Sequence, residues 1–343
     1  MNAKDRRVLH ITNGDAVAKT LGRSRLDGKL LPWRDALHDG PVPAGLALDE
    51  LSRVRARFVS GELGAGSFDD VLKQFVERDT SLRAFRRFDE VVLWFEHDLY
   101  DQLQLIQLLH WFALRATATT RLTLISVGEY PGVEPFHGLG QLDAEQLARL
   151  WDSRREISPQ QLALGDRAWE AFCSERPLRI QQLLGEELSA LPFLRAALLR
   201  HLEQFPSTRE GLSRTERQIL VALEEGHHEL GALFRRTQHE LEERPFMGDT
   251  SFLLHVGFLH AGEPLLEFED GQGPRTRDGE LSADCWTRRL RLTEPGRKVL
   301  GGQVDRLRYQ DVDRWLGGVH LEGEPAWRWA HRGHELIGQP RGG

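Results

Sequence analysis

Short apolar runs alternate with amphipathic segments along the first part of the chain. Runs rich in Val, Ile, Leu, Phe and Trp occur at 7–12, 28–35, 90–96 and 121–132, and each is typical of a buried strand. Segments with helical spacing or high charge separate these runs. Because strands that alternate with helices form parallel sheets with right-handed crossovers, the pattern predicts an α/β fold whose first domain, 1–140, is a Rossmann-like parallel sheet.

Helical spacing dominates from about residue 141 to residue 207. Ser158 followed by Pro159 predicts the start of one of these helices, because Ser caps free N–H groups and Pro suits the first helical position. We expect 141–207 to form a helical connector that packs on the sheet, with its boundary at 206–208.

A different pattern begins after the connector. Ser213 and Glu216 have the spacing of a capping box, and two further helical segments follow. A Gly-rich loop and a β-like stretch complete the pattern, at 270–284 and 286–302. Three helices followed by a hairpin with a Gly-rich tip is the order of a winged helix, so we expect a winged-helix-like domain over 208–302.

The last segment, 303–343, is expected to close the structure. It contains two stretches typical of strands, 315–321 and 325–330, joined by a short acidic turn. Trp327 and Trp329 alternate in the second stretch, which places them on one face of a strand and predicts that they are core residues.

The overall composition is that of an ordinary globular protein, with 40% apolar and 28% charged residues. The two cysteines, Cys173 and Cys285, lack the spacing of a thiolate metal site or a disulfide framework. No apolar run approaches the roughly 18–20 residues that span a bilayer, and the N-terminus lacks the apolar core of a secretory signal. We therefore expect a cytoplasmic protein with no membrane partner.

Polar side chains follow each expected strand at the point where the strand ends. In a parallel sheet, ligands bind outside the carboxyl ends of the strands, where the connecting loops gather. We therefore predict a ligand-binding or catalytic crevice there, and a fourth exit at 126–130 is also polar. The candidate residues come from the first three exits: His10, Thr12, Asn13, Gly14 and Asp15; Trp33, Asp35, His38 and Asp39; and Glu96, His97, Asp98, Asp101 and Gln102.

Each group also has a purely structural interpretation. The turn at 13–15 is a common way to begin a helix, and a single His inside an apolar strand, such as His10, is often a satisfied core residue. Asp98 and Asp101 could cap the helix after the third strand. The crevice is the preferred hypothesis because the alternative requires four structural coincidences at one end of one sheet.

We assign the catalytic role in the crevice to His97, Asp98 and Asp15. His97 would act as general acid or base, with a pKa raised by a neighbouring carboxylate. The two aspartates would orient it, or hold substrate hydroxyls or a metal. The remaining contacts would come from two residues of the pocket floor and one ring that stacks on the substrate, namely His10, Asn13 and Trp33.

A hard divalent cation, Mg²⁺ or Mn²⁺, is one further hypothesis for this crevice. Its ligands would be Asp15, Asp39, His97 and Asp98, which supply oxygen and imidazole atoms. The sequence contains no GxGxxG, GxxxxGK[ST] or GxSxG motif, so it does not support a dinucleotide fingerprint, a P-loop or a serine nucleophile. The identity of any cofactor therefore stays open.

Several motifs resemble a bacterial protein family of unknown function. They are HITNGD (10–15), WRDALHDGPVP (33–43), LWFEHDLYDQLQL (93–105), GDTSFLLHVGFLHAG (248–262) and RRLRLT (288–293). In that family one domain of unknown function is paired with a second at the C-terminus, so the resemblance implies a bipartite bacterial cytosolic protein but no activity. In some members the C-terminal half is similar to the DNA-binding fourth region of sigma factors.

Two functions from different classes fit these observations. The first is a cytosolic enzyme, a hydrolase or transferase, that acts on a small anionic or nucleotide-like substrate in the crevice. The second is a ligand-sensing transcriptional regulator whose winged-helix-like domain contacts DNA or polymerase. A purely structural partner protein fits less well, because it does not explain the clustered ionisable groups.

Charge disfavours nucleic acid as the partner. The net charge of the chain is −7, and 209–302 carries 13 basic against 17 acidic residues. A basic cluster on the expected wing is the exception, formed by Arg288, Arg289, Arg291, Arg297 and Lys298.

Overall fold

The computed structural model describes residues 7–115, 119–271, 273 and 284–338. Over these residues the chain has a mixed α/β fold whose centre is a five-stranded, mostly parallel sheet. The predicted α/β class and its mostly parallel sheet are thereby confirmed. Within the described residues, no helix has the length and apolar character needed to cross a membrane.

The described residues form twelve strands and twelve α-helices, numbered here in chain order. The strands are β1 (Val8–Thr12), β2 (Lys29–Pro32), β3 (Gly40–Pro41), β4 (Glu90–Glu96), β5 (Arg121–Val127), β6 (Arg155–Glu156), β7 (Leu266–Phe268), β8 (Leu290–Leu292), β9 (Val312–Gly317), β10 (Val319–Gly323), β11 (Trp327–Ala330) and β12 (Glu335–Gly338). The helices are α1 (Asp15–Leu21), α2 (Leu48–Gly61), α3 (Phe68–Arg83), α4 (Leu99–Ala113), α5 (Ala144–Arg149), α6 (Pro159–Cys173), α7 (Leu178–Leu184), α8 (Leu194–Leu202), α9 (Arg214–Glu224), α10 (Leu230–Arg235), α11 (Asp249–His260) and α12 (Glu294–Leu300).

The central sheet has the strand order β2-β1-β4-β5-β6. The first four strands are parallel, and the short edge strand β6 runs antiparallel to β5. All four apolar runs of the first domain contain a strand, as predicted. The carboxyl ends of the parallel strands, where the polar side chains follow, therefore lie along one edge of the sheet.

The middle strand β4 is buried on both faces, because successive side chains of a strand point to opposite sides. Val92 and Trp94 pack in the layer that contains α1 and α5. Val91, Leu93 and Phe95 pack on the other side, in the layer that contains α4. A parallel sheet covered by helices on both faces explains why this run is continuously apolar.

The connector is helical as predicted, and α6 begins where expected. The Ser158 hydroxyl accepts the Gln161 backbone N–H at 3.1 Å, which caps the helix. Gly165 lets α6 approach α4 closely, since a Cβ atom there would lie 2.3 Å from Leu109 Cβ. The long helical stretch expected before residue 205 is divided into α7 and α8.

Three helices and a short antiparallel strand pair follow the connector. The predicted capping box is present, because Ser213 and Glu216 exchange side-chain and backbone hydrogen bonds at the start of α9. α10 continues into a π-helical turn over Arg236–Leu241, and α11 leads to β7, which pairs with β8. A single bridge joins Glu229 to Arg289 beside that pair.

The β-like stretch predicted over 286–302 is wrong for most of its length. Only three of its residues form β8, and α12 follows at once. The Thr293 hydroxyl accepts the Gly296 backbone N–H at 3.1 Å and so caps α12. Most of the predicted Gly-rich loop, 270–284, lies outside the described residues.

The closing segment forms two hairpins rather than two single strands. Gly317 adopts a left-handed conformation with φ of 60°, so the stretch predicted as one strand turns there and divides into β9 and β10. β11 pairs with β12, and Trp327 and Trp329 are buried as predicted. β9 also pairs in parallel with β3, which connects this segment to the second strand exit.

One hydrophobic core cluster contains residues from all four predicted segments of the chain. It contains, among others, Leu9 of β1, Phe172 of α6, Leu220 of α9 and Trp329 of β11. The predicted boundaries at 140, 207 and 302 therefore do not coincide with breaks in the core, and the division into domains stays a prediction.

Candidate functional site

The carboxyl ends of β1 and β4 lie side by side at the centre of the sheet. The chain passes from β1 to β2 on one side and later returns to β4 on the other, so the sheet has a topological switch point between β1 and β4. Open α/β sheets bind ligands in the crevice at such a point. Two of the polar strand exits are therefore neighbours at the expected place.

Three carboxylates meet at the end of β4. One oxygen atom from each of Glu96, Asp98 and Asp101 lies within 4.8 Å of the other two, and all three side chains are buried. Among the described residues, this is the one group of three or more acidic, His or Cys side chains with that geometry. We refer to it as the carboxylate cluster. It replaces the predicted set of metal ligands, because Asp15 and Asp39 do not belong to it.

The first turn of α4 holds the carboxylate cluster in place. Asp98 is the N-cap residue of α4, and its Oδ1 accepts the Asp101 backbone N–H at 2.9 Å. Asp101 Oδ1 accepts the Glu96 backbone N–H at 2.7 Å, and the Gln102 amide donates to the Glu96 backbone carbonyl at 2.6 Å. The structural capping role is thus real. It leaves acceptor capacity for a ligand, because each ionised carboxylate offers about four acceptor positions.

The loop after β1 joins the cluster through Asn13. The Asn13 amide donates to Asp101 Oδ2 at 2.9 Å, and Tyr100 donates its hydroxyl to the Asn13 carbonyl at 3.1 Å. The Thr12 hydroxyl donates to the Gly14 carbonyl at 2.9 Å, which shapes the same loop. Residues separated by more than eighty positions along the chain are therefore joined at the switch point, as the crevice hypothesis expected for Asn13.

The loop before α5 covers Glu96. The Leu139 backbone N–H donates to the Glu96 carboxylate. Gly138 has a φ of 152°, and a Cβ atom there would lie 2.1 Å from Glu96 Oε1. Only glycine allows the backbone to approach the carboxylate this closely.

Burial raises the pKa of all three carboxyl groups, and the charges of neighbouring carboxylates add to the effect at Glu96 and Asp98. Burial raises the pKa of Glu96 well above its ordinary range, and the charges of Asp101 and Asp98 raise it further. Burial, followed by the charge of Asp101, raises the pKa of Asp98 in the same way. Burial raises the pKa of Asp101 to about 7. Three buried carboxylates this close together favour either bound protons or a cation.

His97 occupies an aromatic cage beside the cluster. Its ring stacks on Phe136 at a centroid distance of 5.9 Å and meets the edge of Phe193 at 6.0 Å. Its side chain is buried, and Nδ1 has no hydrogen-bond partner among the described residues. Burial lowers the pKa of His97 to about 4, and the charges of Arg244 and His137 act in the same direction. The expectation that a carboxylate raises this pKa is therefore wrong, and the imidazole is neutral at neutral pH.

Arg244 brings positive charge to the crevice from the segment between α10 and α11. It is close enough to Asp98 and His97 to lower the pKa of both groups. Its guanidinium Nη1 is buried and, within the described part of the chain, makes no hydrogen bond. A half-buried arginine with an unused donor is suited to bind an anionic group.

His10 lies in the middle of β1 rather than at its end. Its Nδ1 accepts the Trp94 indole N–H at 3.1 Å, and its Nε2 lies 3.3 Å from the Asp27 carbonyl. Both ring nitrogens are thus used inside the protein, and burial lowers the pKa of the imidazole. The prediction that His10 lines the pocket floor is corrected: it is the satisfied core histidine of the alternative interpretation.

Trp33 and Asp35 are also structural. Trp33 is fully buried, donates its indole N–H to Gln107 at 2.7 Å and packs under the Arg78 guanidinium at 4.0 Å. It therefore has no free face on which a substrate ring could stack. Asp35 forms a buried ion pair with Arg55, with a nitrogen–oxygen distance of 2.8 Å.

Asp15 lies on the protein surface. It forms an ion pair with Arg34, in which 63% of the Asp15 side chain and 45% of the Arg34 side chain are exposed. Asp15 is the first residue of α1, where a negative side chain interacts favourably with the helix dipole. The catalytic role predicted for Asp15 has no support in this geometry.

His38 and Asp39 belong to a second buried group. Asp39 Oδ1 lies 3.2 Å from His255 Nε2, and His38 Nε2 lies 3.3 Å from Asp39 Oδ2. Burial opposes ionisation of Asp39, but the two histidines hold its pKa well below the ordinary range. The expectation that His10, Asp15, Asp39 and His97 share one rim is therefore wrong.

Several residues of the crevice have no recognisable signal in the sequence. Arg244, His137, Phe136 and Phe193 come from loops and a helix start whose local patterns are unremarkable. They reach His97 only through long-range packing.

Searches with protein-family models and against curated proteins found no match to this chain. The resemblance to a bacterial family of unknown function accordingly stays a prediction.

Proposed function

We propose that this protein is an enzyme, a hydrolase or transferase, that acts on a small anionic or nucleotide-like substrate at the carboxyl ends of β1 and β4. The observation that carries the proposal is the convergence of Glu96, Asp98 and Asp101 at the topological switch point. Buried like charges with raised pKa values are costly to stability and are concentrated at functional sites.

The arrangement of the sheet supports a Rossmann-like first domain. Four parallel strands in the order β2-β1-β4-β5 have helices on both faces, and the order reverses at β1. Folds of this type bind small ligands, often nucleotides, at the reversal. A cytoplasmic location is part of the same proposal and rests on the sequence.

A divalent cation, Mg²⁺ or Mn²⁺, is the cofactor that the carboxylate cluster fits best. Hard divalent cations prefer carboxylate oxygens, and a bound ion would offset the cost of burying three carboxylates, which raises the three pKa values. The ion would polarise an anionic substrate oxygen. Asp101 would hold the ion while Asn13 fixes the orientation of its carboxylate.

His97 and Arg244 supply the remaining chemistry. The neutral His97 has a free ring nitrogen, within the described residues, that would accept the O–H of an attacking water or acceptor hydroxyl. The unused donor of Arg244 would bind the substrate anion and its developing charge. The two residues come from distant parts of the chain and lie close enough to interact electrostatically.

Turnover of phosphate esters tests the proposal directly. In the presence of Mn²⁺, the full chain is expected to hydrolyse at least one member of a panel of p-nitrophenyl phosphate and nucleoside mono-, di- and triphosphates. His97→Ala is expected to reduce this turnover by about 100-fold or more while the protein stays folded. Product release measured by a phosphate assay, with circular dichroism as the folding check, decides the outcome.

His110→Ala is the matched control. His110 lies near the C-terminal end of α4, away from the carboxylate cluster, and pairs with Asp166 of α6. It should leave turnover within about twofold of the original protein. Normal turnover in the His97→Ala variant would remove His97 from the mechanism. No turnover of any ester, with or without metal, would overturn the proposed phosphate-ester chemistry.

One observation favours the regulator as a second candidate. The order α9, bridge at Glu229, α10, α11 and the pair β7-β8 supports a winged-helix-like domain, since the bridge takes the place of the first strand of that fold. Such domains commonly read DNA with the helix that corresponds to α11.

The charges of the expected wing oppose DNA binding. Arg288 pairs with Asp270, Arg289 with Glu269 and Arg291 with Glu267, so the basic cluster is largely neutralised within the protein. Lys298 pairs with Glu294 in the same way. Phosphate contacts require cations that are available to DNA.

We therefore expect no specific retention of duplex DNA in a gel-shift assay. Any binding at low salt should be weak. Binding that is tight, decreases steeply with salt and is lost in an Arg289→Ala variant would favour the regulator over the enzyme.

A further inference from the structure

A cavity of about 570 Å³ lies between α2, α11 and β9, apart from the carboxylate cluster. Its size is within the range of about 300–1,000 Å³ that is usual for small-molecule sites. It combines a buried polar end with aromatic walls. The two halves of the chain form it together, because α2 precedes the central strand β4 and α11 and β9 follow the connector.

The polar end contains Asp39, His255 and Arg314, each more than nine-tenths buried. Asp39 Oδ1 lies 3.2 Å from His255 Nε2. Over the part of the chain that the structure describes, Asp39 Oδ2 and His255 Nδ1 have no hydrogen-bond partner. His38 Nε2 is 3.3 Å from Asp39 Oδ2 but lacks the geometry of a hydrogen bond.

Arg314 contributes a third unused polar atom. Its terminal nitrogens donate to Glu216 Oε1 at 2.8 Å and to the Gln204 carbonyl at 3.2 Å, which fixes the guanidinium. Its Nε has no partner within the described residues. A buried donor or acceptor without a partner costs about 1–3 kcal/mol, so these three atoms together favour a bound ligand.

The walls of the cavity are aromatic. Phe58, Phe258 and Trp315 line it. Gly40 makes room for Phe58, since a Cβ atom at Gly40 would lie 2.5 Å from the Phe58 ring. Trp315 is fixed by a parallel stack on His320, with centroids 4.6 Å apart. Aromatic walls favour a planar ring as the occupant.

The lining charges do not favour an anion. The lining contains two arginines, Arg57 and Arg314, and three carboxylates, Asp39, Glu62 and Asp313. The unused atoms at the polar end include both a donor, Arg314 Nε–H, and an acceptor, Asp39 Oδ2. A matching ligand presents both an acceptor and a donor.

We propose that this cavity is a second ligand site, which binds an uncharged planar nitrogen heterocycle of the nucleobase class. The ring would lie between Phe58 and Phe258. Its donor and acceptor edge would pair with Asp39 and Arg314, and His255 would accept or donate one further hydrogen bond. The site is independent of the proposed reaction at the carboxylate cluster.

The test uses 2-aminopurine, a fluorescent purine base that is uncharged at neutral pH and loses fluorescence when it stacks on aromatic rings. Added to the full chain, it should show saturable quenching. Phe58→Leu and Phe258→Leu should each weaken binding by about tenfold, because base–aromatic stacking contributes that much. Phe68→Leu, a half-buried phenylalanine in a separate cluster, is the matched control and should bind normally.

Three comparisons complete the test. Indole, which is planar but has no ring acceptor, should bind more weakly than 2-aminopurine, and equal binding would overturn the role of the polar end. Asp98→Asn should retain 2-aminopurine binding, which separates this site from the carboxylate cluster. Absence of saturable quenching up to about 1 mM, or unchanged affinity in both folded Phe→Leu variants, would overturn the proposal.

Discussion

Replacement of Asp98 by asparagine is expected to weaken Mn²⁺ binding strongly and, without metal, to make the protein more stable. Asparagine keeps the N-cap hydrogen bond to Asp101 but removes one of three buried ionisable carboxyl groups. The affinity for Mn²⁺ should decrease by about 100-fold or more, because a direct ligand is lost. The free energy of unfolding of the metal-free protein should increase by roughly 1–3 kcal/mol.

The sign of the pH dependence follows from the raised pKa values. A carboxyl group with a higher pKa in the folded chain than in the unfolded chain binds more protons when folded. The cluster therefore lowers metal-free stability as pH rises from the ordinary carboxyl range through about 7, the pKa of Asp101. The stability gain from Asp98→Asn should be largest above that pH, and Mn²⁺ should restore the stability of the original protein there.

Isothermal titration with Mn²⁺ and thermal melts on both sides of neutral pH measure these effects. Asp152→Asn, at an exposed aspartate between α5 and β6, is the control and should change neither quantity. If the original protein binds no Mn²⁺ and Asp98→Asn lowers stability at every pH, the cluster is a capping network rather than a metal site.

Replacement of Glu216 by glutamine should destabilise the protein severely. Glu216 is fully buried and forms ion pairs with both Arg306 and Arg314, which lie in the closing segment. The two arginines hold its pKa far below the ordinary range against the effect of burial. Glutamine would keep the volume but leave two buried guanidinium groups without a counter-charge, at a cost of about 3–5 kcal/mol.

Urea denaturation of the two proteins measures that loss. Glu203→Gln is the matched control, because Glu203 pairs with Arg214 at 2.8 Å where both side chains are partly exposed. Its expected loss is below about 1 kcal/mol. Equal losses in the two variants would show that the charge of Glu216 is not what holds the closing segment.

Local patterns predicted most of the sheet and part of the site. The strands were visible because a strand covered on both faces is apolar at every position, and β4 is such a strand. The three residues of the carboxylate cluster lie within 96–101, so acidic residues close together at a strand exit were enough to indicate it. Asn13 could be added because parallel strands bring their exits together.

The remaining residues depend on facts that local sequence does not contain. A strand buried on both faces, such as β1, gives no sign of which layer a side chain enters, so the sequence does not show that His10 has partners in the interior. Trp33 follows β2 directly, and its burial depends on Gln107 and Arg78 from other helices. Asp15 lies on the surface because it pairs with Arg34, a residue that follows a different strand. Local sequence does not reveal this ion pair. Arg244 is brought to His97 by packing between distant segments.

The two-residue pairing of β3 with β9 has a consequence for biosynthesis. Gly40 leaves the ribosome long before its partner Leu316. The contact between β3 and β9 therefore cannot form until the long segment between these two residues has been synthesised. The wall that β9 adds to the 570 Å³ cavity arrives equally late. An incomplete translation product that stops before β9 would lack this wall, so occupancy of the cavity would distinguish finished molecules from truncated ones.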